Sequence, residues 1–210
     1  HARCLSDSEV WGKVKRGRRG VHLAFCVRRG KAVSVRVGGG DDRHCATGGN
    51  VTGFVIHALH VGGGTLALAP LPGSAGDYAS DLSHIRDWKP ALVISLTEAA
   101  ERAVAGASGF GADLQDTGTR WIAFPVPDFS VPSPDQHIDW RSASHAARAA
   151  LSGGGRVMIQ CLGGCGRSGM VALRLMIETG ETPNAALRRL RAVRPCAIET
   201  EAQMAWALRG

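Results

Sequence analysis

The stretch "RVMIQCLGGCGRSGMVALRLMIETG", residues 156–180, joins an apolar strand pattern to an apolar helix pattern through a glycine-rich loop. Cys161 precedes Arg167 by six positions, with Gly163, Gly164 and Gly166 between them. At such a junction backbone N–H groups converge, and the helix N-terminus adds partial positive charge. That combination binds a tetrahedral anion such as phosphate. The glycines let the backbone close around the oxygens where a Cβ would obstruct it. Arg167 adds a planar fork able to hold two oxygens at once. The expected anion-binding residues are therefore Leu162, Gly163, Gly164, Cys165, Gly166 and Arg167.

The thiol gives this site a chemistry. A cysteine beneath an anion site feels helix-terminal and guanidinium charge, which favours the thiolate. A thiolate facing a bound phosphate is a nucleophile, and its product is a phosphocysteine. Ser168 is placed to donate a hydrogen bond to the sulfur and ease its departure. The loop lacks the Lys-Ser/Thr ending of a nucleotide P-loop, so ATP or GTP is not the expected ligand. A dinucleotide fingerprint does not fit either, because the loop comes late and no acidic residue follows at the right distance. A rhodanese-type loop, with the cysteine as a persulfide carrier, stays open at this point.

Phosphoryl transfer to cysteine needs an acid for the leaving oxygen and then a base for water. In "FPVPDFSVPSP", residues 124–134, Asp128 stands in a proline-bracketed loop after a strand pattern. Alone it reads as a turn residue beside proline. With the cysteine–arginine loop downstream, it is the expected acid and base. Asp135 is better explained as the first turn of a helix.

Outward from the loop, strand and helix patterns alternate. "FVIHAL", "GGGTLALAPLPG", "ALVISL", "RWIAFPVP" and "RVMIQC" read as strands. "SDLSHIRDWKP", "TEAAERAVAGA" with Thr97 as N-cap, and "SPDQHIDWRSASHAARAALSGGG" with Ser133 as cap read as helices. "SGMVALRLMIETG", "TPNAALRRLRAVRP" and "ETEAQMAWALRG" complete the helices. The expected fold is α/β, a mainly parallel central sheet flanked by helices in a three-layer sandwich. His57 and His60 receive no role, and Trp88, Trp140 and Trp206 are expected to pack helices or core.

Residues 1–50 read differently. They hold 11 Lys or Arg against 4 Asp or Glu, whereas residues 51–210 hold 14 against 14. The adopted division is a basic, poorly ordered extension over 1–50 and one catalytic domain over 51–210. Nucleic acid is not an expected partner; only the basic extension offers a surface for it. His1, Cys4, His22, Cys26, His44 and Cys45 match no paired-ligand spacing, so no metal is expected. The six cysteines form no regular framework and suit free thiols in a reducing compartment. No run has the apolar length of a membrane span, and a cytoplasmic location is expected.

Together, "RVMIQCLGGCGRSG", "SLTEAAE", "FPVPDFSVP" and "RAVRPCAIETEAQ" resemble the cysteine-dependent protein tyrosine phosphatase superfamily. Within it they are similar to compact dual-specificity phosphatases of the kinase-associated, cyclin-dependent-kinase-inhibitor type. The resemblance spans about residues 54–208. It implies Cys161 as nucleophile, Arg167 as phosphate clamp, Asp128 as acid then base, Ser168 as thiolate partner, and no cofactor. The implied substrate is a phosphorylated protein. Two departures stand out. Gln160 replaces the usual His before the nucleophile, which implies reduced but not abolished activity. Failing that, the chain is a phosphopeptide-binding pseudophosphatase. Cys196 replaces the usual Gly, and Cys165 lies inside the loop. Both are read as small buried fillers, although either is able to trap an oxidised Cys161. The loop interior carries no Lys, which points to a monophosphate: phosphotyrosine, or phosphoserine and phosphothreonine.

Overall fold

The structure is a computed structural model that describes residues 54–209 throughout, and only strand segments within residues 1–50. The chain divides into two units, His1–Asn50 and Val51–Gly210. In the first, β3 (His22–Arg28) pairs antiparallel with β4 (Lys31–Val37) and with the short strands β1 (Val10–Trp11) and β2 (Lys15–Arg16). The rest of the expected extension, and the side chains of its candidate ligands, lie outside the described residues.

The second unit is built on five strands: β5 (His57–Val61), β6 (Gly64–Ala69), β7 (Leu92–Ser95), β8 (Arg120–Ala123) and β9 (Arg156–Gln160). Their order is β5-β6-β9-β7-β8; β5 and β6 form an antiparallel hairpin, and the other pairings are parallel. The last strand in sequence is thus the middle strand in space. Thr65 pairs with Arg156 on one side of β9, and Leu92 with Val157 on the other. A strand buried on both sides needs apolar side chains on both faces. "VMI" supplies them: Val157 and Ile159 enter one core cluster and Met158 the other. Period-2 alternation splits Leu92 and Ile94 from Val93 in the same way.

Four helices pack over the larger cluster: α4 (His137–Ser152), α5 (Gly166–Glu178), α6 (Pro183–Val193) and α7 (Glu201–Ala207). The smaller cluster is closed by α1 (Tyr78–Trp88) and α3 (Phe110–Gln115), through Leu82, Ile85, Phe110 and Leu114. The remaining helix, α2 (Ala99–Val104), buries no side chain completely. The expected three-layer α/β architecture is what the chain adopts. Trp140 and Trp206 meet edge to face at 5.0 Å, with the Arg174 guanidinium 4.4 Å from the Trp206 ring centroid. His57 Nδ1 lies 3.0 Å from the Val193 carbonyl, so it ties β5 to α6. Tyr78 donates to Asp113 and ties α1 to α3.

Local chemistry sets the element ends. Ser133 opens a capping box with Gln136, whose side chain accepts the Ser133 N–H at 2.9 Å. Pro134 starts the short 3-10 turn that leads into α4. Thr97, expected to cap α2, does not: Glu98 is the N-cap, and its N–H donates to the Glu101 carboxylate at 2.8 Å. The reason is burial. Thr97 is fully enclosed and its hydroxyl points to Gln160. The short α3 has no counterpart in the expected elements, since "FGADLQ" is too short to show a helical period. No helix among the described residues is long and apolar enough to cross a membrane.

Candidate active site

In an open sheet of this kind, ligands bind beyond the carboxyl ends of the parallel strands. β9 ends at Gln160, and the loop 161–165 leads directly into α5. The structure therefore puts the candidate anion loop at the place the topology favours. Gly164 has φ +65°, and a Cβ there would lie 2.8 Å from the Ala69 carbonyl carbon. At Gly166 a Cβ would lie 2.0 Å from Glu199 Oε2. Gly164 requires glycine for reasons of space as well as conformation, whereas at Gly166 the atom met is the end of the exposed Glu199 side chain.

Cys161 is buried and carries a free thiol. Its sulfur is 3.3 Å from Ser168 Oγ, one turn into α5. Arg167 is buried too, 1% exposed, and reaches from α5 to the ends of β7 and β8. Its Nη1 donates to the Val126 carbonyl at 2.9 Å and to Glu101 at 2.8 Å, while Nη2 donates to Glu101 at 2.7 Å. The pairing with Glu101 is bidentate, the strongest form of such a contact. Asp128 Oδ1 lies 3.1 Å from Arg167 Nη2, with its side chain 46% exposed. Thus all four expected catalytic side chains come together. Among the described residues Arg167 Nε is buried without a hydrogen-bond partner, although both Nη groups are anchored.

These charges shift one another. Burial acts to lower the Arg167 pKa, but the Glu101 hydrogen bonds, then the Cys161, Glu101 and Asp128 charges, raise it overall. For Glu101, burial acts to raise the carboxyl; the Arg167 hydrogen bond and the Glu98 N–H outweigh it and hold the group below its ordinary range.

Gln160 is fully buried, and both ends of its amide are hydrogen-bonded. Its Nε2 donates to the Cys161 carbonyl at 2.9 Å, and its Oε1 accepts from Ser95 at 2.6 Å and Thr97 at 3.4 Å. A neutral amide thus braces the nucleophile's own peptide.

Three contributors escaped the sequence reading. Glu101 anchors Arg167; its signal was a carboxylate three residues after a helix cap, in a segment following a central strand. Arg194 donates to the Gly164 carbonyl at 2.9 Å and the Gly163 carbonyl at 2.8 Å. Gln203, fully buried on α7, accepts the Glu199 N–H at 3.0 Å and donates to the Ser130 carbonyl in the Asp128 loop. Nothing short of the fold brings those residues to the loop. Two expectations are overturned: Cys165 and Cys196 are neither free thiols nor buried fillers but a disulfide, with Cα atoms 5.4 Å apart. Cys196 is exposed and Cys165 half-buried, and Cys161 stays outside the bond. A groove of about 960 Å³ along α4, lined by Arg120, Trp140, His145 and Arg174, contains none of the loop residues.

No protein-family model and no curated protein sequence matches the chain. Among solved structures it is similar to kinase-associated phosphatase carrying serine in place of its catalytic-site cysteine. There the identity is 20% and the TM-score 0.66, over 74% of this chain and 93% of that one. It is similar to Tk-PTP in its active form at 27% identity and TM-score 0.56, over 69% of this chain and 89% of that one. It is also similar to PTPMT1 in complex with PI(5)P at 15% identity and TM-score 0.57, over 73% and 93%.

Proposed function

We propose, from the fold it shares with dual-specificity and protein tyrosine phosphatases, that the chain hydrolyses phosphate monoesters on proteins through a phosphocysteine on Cys161. The observation that carries this reading is the buried, unpartnered Nε of Arg167 beside the glycine loop. A buried donor without a partner costs about 1–3 kcal/mol. A phosphoryl oxygen held by the loop N–H groups satisfies it.

The chemistry follows from the placement of the side chains. The Cys161 thiolate attacks phosphorus in line with the ester oxygen, and the phosphorus–oxygen bond breaks as the phosphorus–sulfur bond forms. Asp128, in its acid form, gives its proton to the leaving oxygen. Its carboxylate then takes a proton from water, which attacks the phosphocysteine and releases orthophosphate. Ser168 donates a hydrogen bond to the departing sulfur. Glu101 takes no part in bond making; it holds the guanidinium in register. An Asp128–Arg167 pair favours phosphoryl transfer over persulfide chemistry, which requires no such acid. Phosphotyrosine is the proposed substrate, with phosphoserine and phosphothreonine second.

Hydrolysis of p-nitrophenyl phosphate and of a phosphotyrosine peptide by the whole chain tests this. Turnover that disappears in Cys161→Ser supports it. Absence of turnover in the natural chain and in Gln160→His, together with thiosulfate sulfurtransfer, would overturn it.

A further inference from the structure

The segment 194–199 is stitched to the candidate phosphate loop in three ways. The Arg194 guanidinium holds the Gly163 and Gly164 carbonyls. The Ile198 N–H donates to the Cys165 carbonyl at 3.4 Å. The third tie is covalent, between Cys165 and Cys196. In a trans peptide the carbonyl and the next N–H point in opposite directions. Fixing the carbonyls of Gly163 and Gly164 toward Arg194 therefore turns the N–H groups of Gly164 and Cys165 away from it. This is the orientation an anion nest requires. The segment thus shapes the loop from behind, and only one of its three ties responds to redox conditions.

Accessibility makes that tie reversible while sparing the nucleophile. Cys196 is exposed, whereas Cys161 is enclosed beside Ser168. Cys165 is the N-cap of the thirteen-residue helix α5, where partial positive charge favours a thiolate. A disulfide breaks faster when the departing sulfur is stabilised as thiolate. Attack at the Cys196 sulfur makes Cys165 that leaving group.

We propose that the Cys165–Cys196 disulfide is a reversible latch on the phosphate loop: closed, it holds the anion-binding shape, and open, it lets the loop relax. The idea rests on the phosphatase reading for its consequence and on the disulfide for its chemistry. In opening, a thiolate of a dithiol attacks Cys196 Sγ, the sulfur–sulfur bond breaks and Cys165 leaves as thiolate. The second thiol of the reductant resolves the mixed disulfide. Two electrons pass to the protein, and the dithiol becomes a disulfide. In closing, hydrogen peroxide takes two electrons from the two thiols and yields the disulfide and two waters.

Apparent anion affinity falls in proportion to the fraction of competent loop. A loop competent about a tenth of the time when unlatched binds phosphate about tenfold more weakly. The test uses the whole chain, peroxide-treated or reduced with dithiothreitol and desalted without air. Mass spectrometry of alkylated peptides reports the cross-link. Orthophosphate affinity by calorimetry, and KM and kcat for p-nitrophenyl phosphate, report the site. The expected result is a roughly tenfold loss of affinity and rise in KM on reduction, with Cys196→Ala fixed at the reduced values whatever the treatment. Oxidation of Cys161 is read in the same peptide map, and the orthophosphate comparison repeated in Cys161→Ser tells it apart. Equal affinities with the cross-link open and closed would overturn the latch, as would failure of peroxide to form the bond. No turnover in either state counts against the phosphatase reading and not the latch, because the orthophosphate measurement still decides the latch.

Discussion

Asp128 exerts two effects that pull in opposite directions. Its carboxylate lies 3.1 Å from Arg167 Nη2, where it stabilises the guanidinium yet opposes an incoming dianion. Asp128→Ala should therefore bind orthophosphate several-fold more tightly while lowering kcat about a hundredfold, the usual worth of a general acid. Calorimetry against steady-state rates separates the two effects. Gln160 is the other residue with a sharp consequence. It braces the Cys161 carbonyl as histidine could, but it cannot become cationic. Gln160→His should raise kcat several-fold, read with p-nitrophenyl phosphate at pH 5 to 8. A fall instead would mean that the Ser95 and Thr97 hydroxyls are matched to the amide oxygen alone. At this scale the sequence was informative wherever one residue type has few uses. A cysteine six places before an arginine, across three glycines, points to a thiolate beneath an anion site. Glu101 and Arg194 were illegible because surface carboxylates and guanidiniums have many uses, and only tertiary contact selects one.

Helix α5 shows how an element converts pattern into site. Its first turn carries Gly166, Arg167 and Ser168 at the end of β9, and its apolar body is buried through Met176. The helix can sit so close to the 194–199 segment because Gly169 leaves room for the Ile198 N and Ala197 Cα, 2.7 and 2.9 Å from where its Cβ would lie. Gly169→Ala should cost about 1–3 kcal/mol, the usual range for overpacking a tight site. Thermal unfolding checks the cost, and orthophosphate affinity should fall with it. The long elements were readable from period and caps: β6, β7, β9, α4 and α5 all lie where the sequence places them. The exceptions are short or doubly determined. Thr97 has the chemistry of a cap, but its hydroxyl is claimed by Gln160 across the sheet, and α3 is a helix only because Phe110 and Leu114 have a core to enter. The disulfide was missed for a related reason. Thirty-one residues separate its cysteines, and only the packing of the 194–199 segment on the loop brings them together.

For the molecule as a whole, the charged cluster beneath the loop is a source of pH-dependent stability. The Glu101 carboxyl is held below its ordinary value of 4.5 by Arg167 in the folded chain. Its contribution is therefore fully present above that value and is lost as pH falls through the depressed one. Glu101→Gln should destabilise the natural chain at neutral pH by about 2 kcal/mol, typical of a hydrogen bond to a charged group. The difference between the two proteins should shrink in denaturant titrations carried below pH 4.5. A difference that stays constant into acid would place the stabilisation in packing instead of charge. The same cluster links stability to function, since the pair that holds Arg167 in register also prevents it from sitting as an unpaired buried charge.

The central claim is that Cys161 carries the phosphoryl group between substrate and water. The most direct measurement is acid quenching of the whole chain during turnover of a radiophosphate-labelled phosphotyrosine peptide, followed by mapping of the label. The account predicts a phosphocysteine on the peptide containing Cys161, accumulating further in Asp128→Ala with a good leaving group and absent in Cys161→Ser. Continued turnover with no label on Cys161, or label on any other residue, would contradict it.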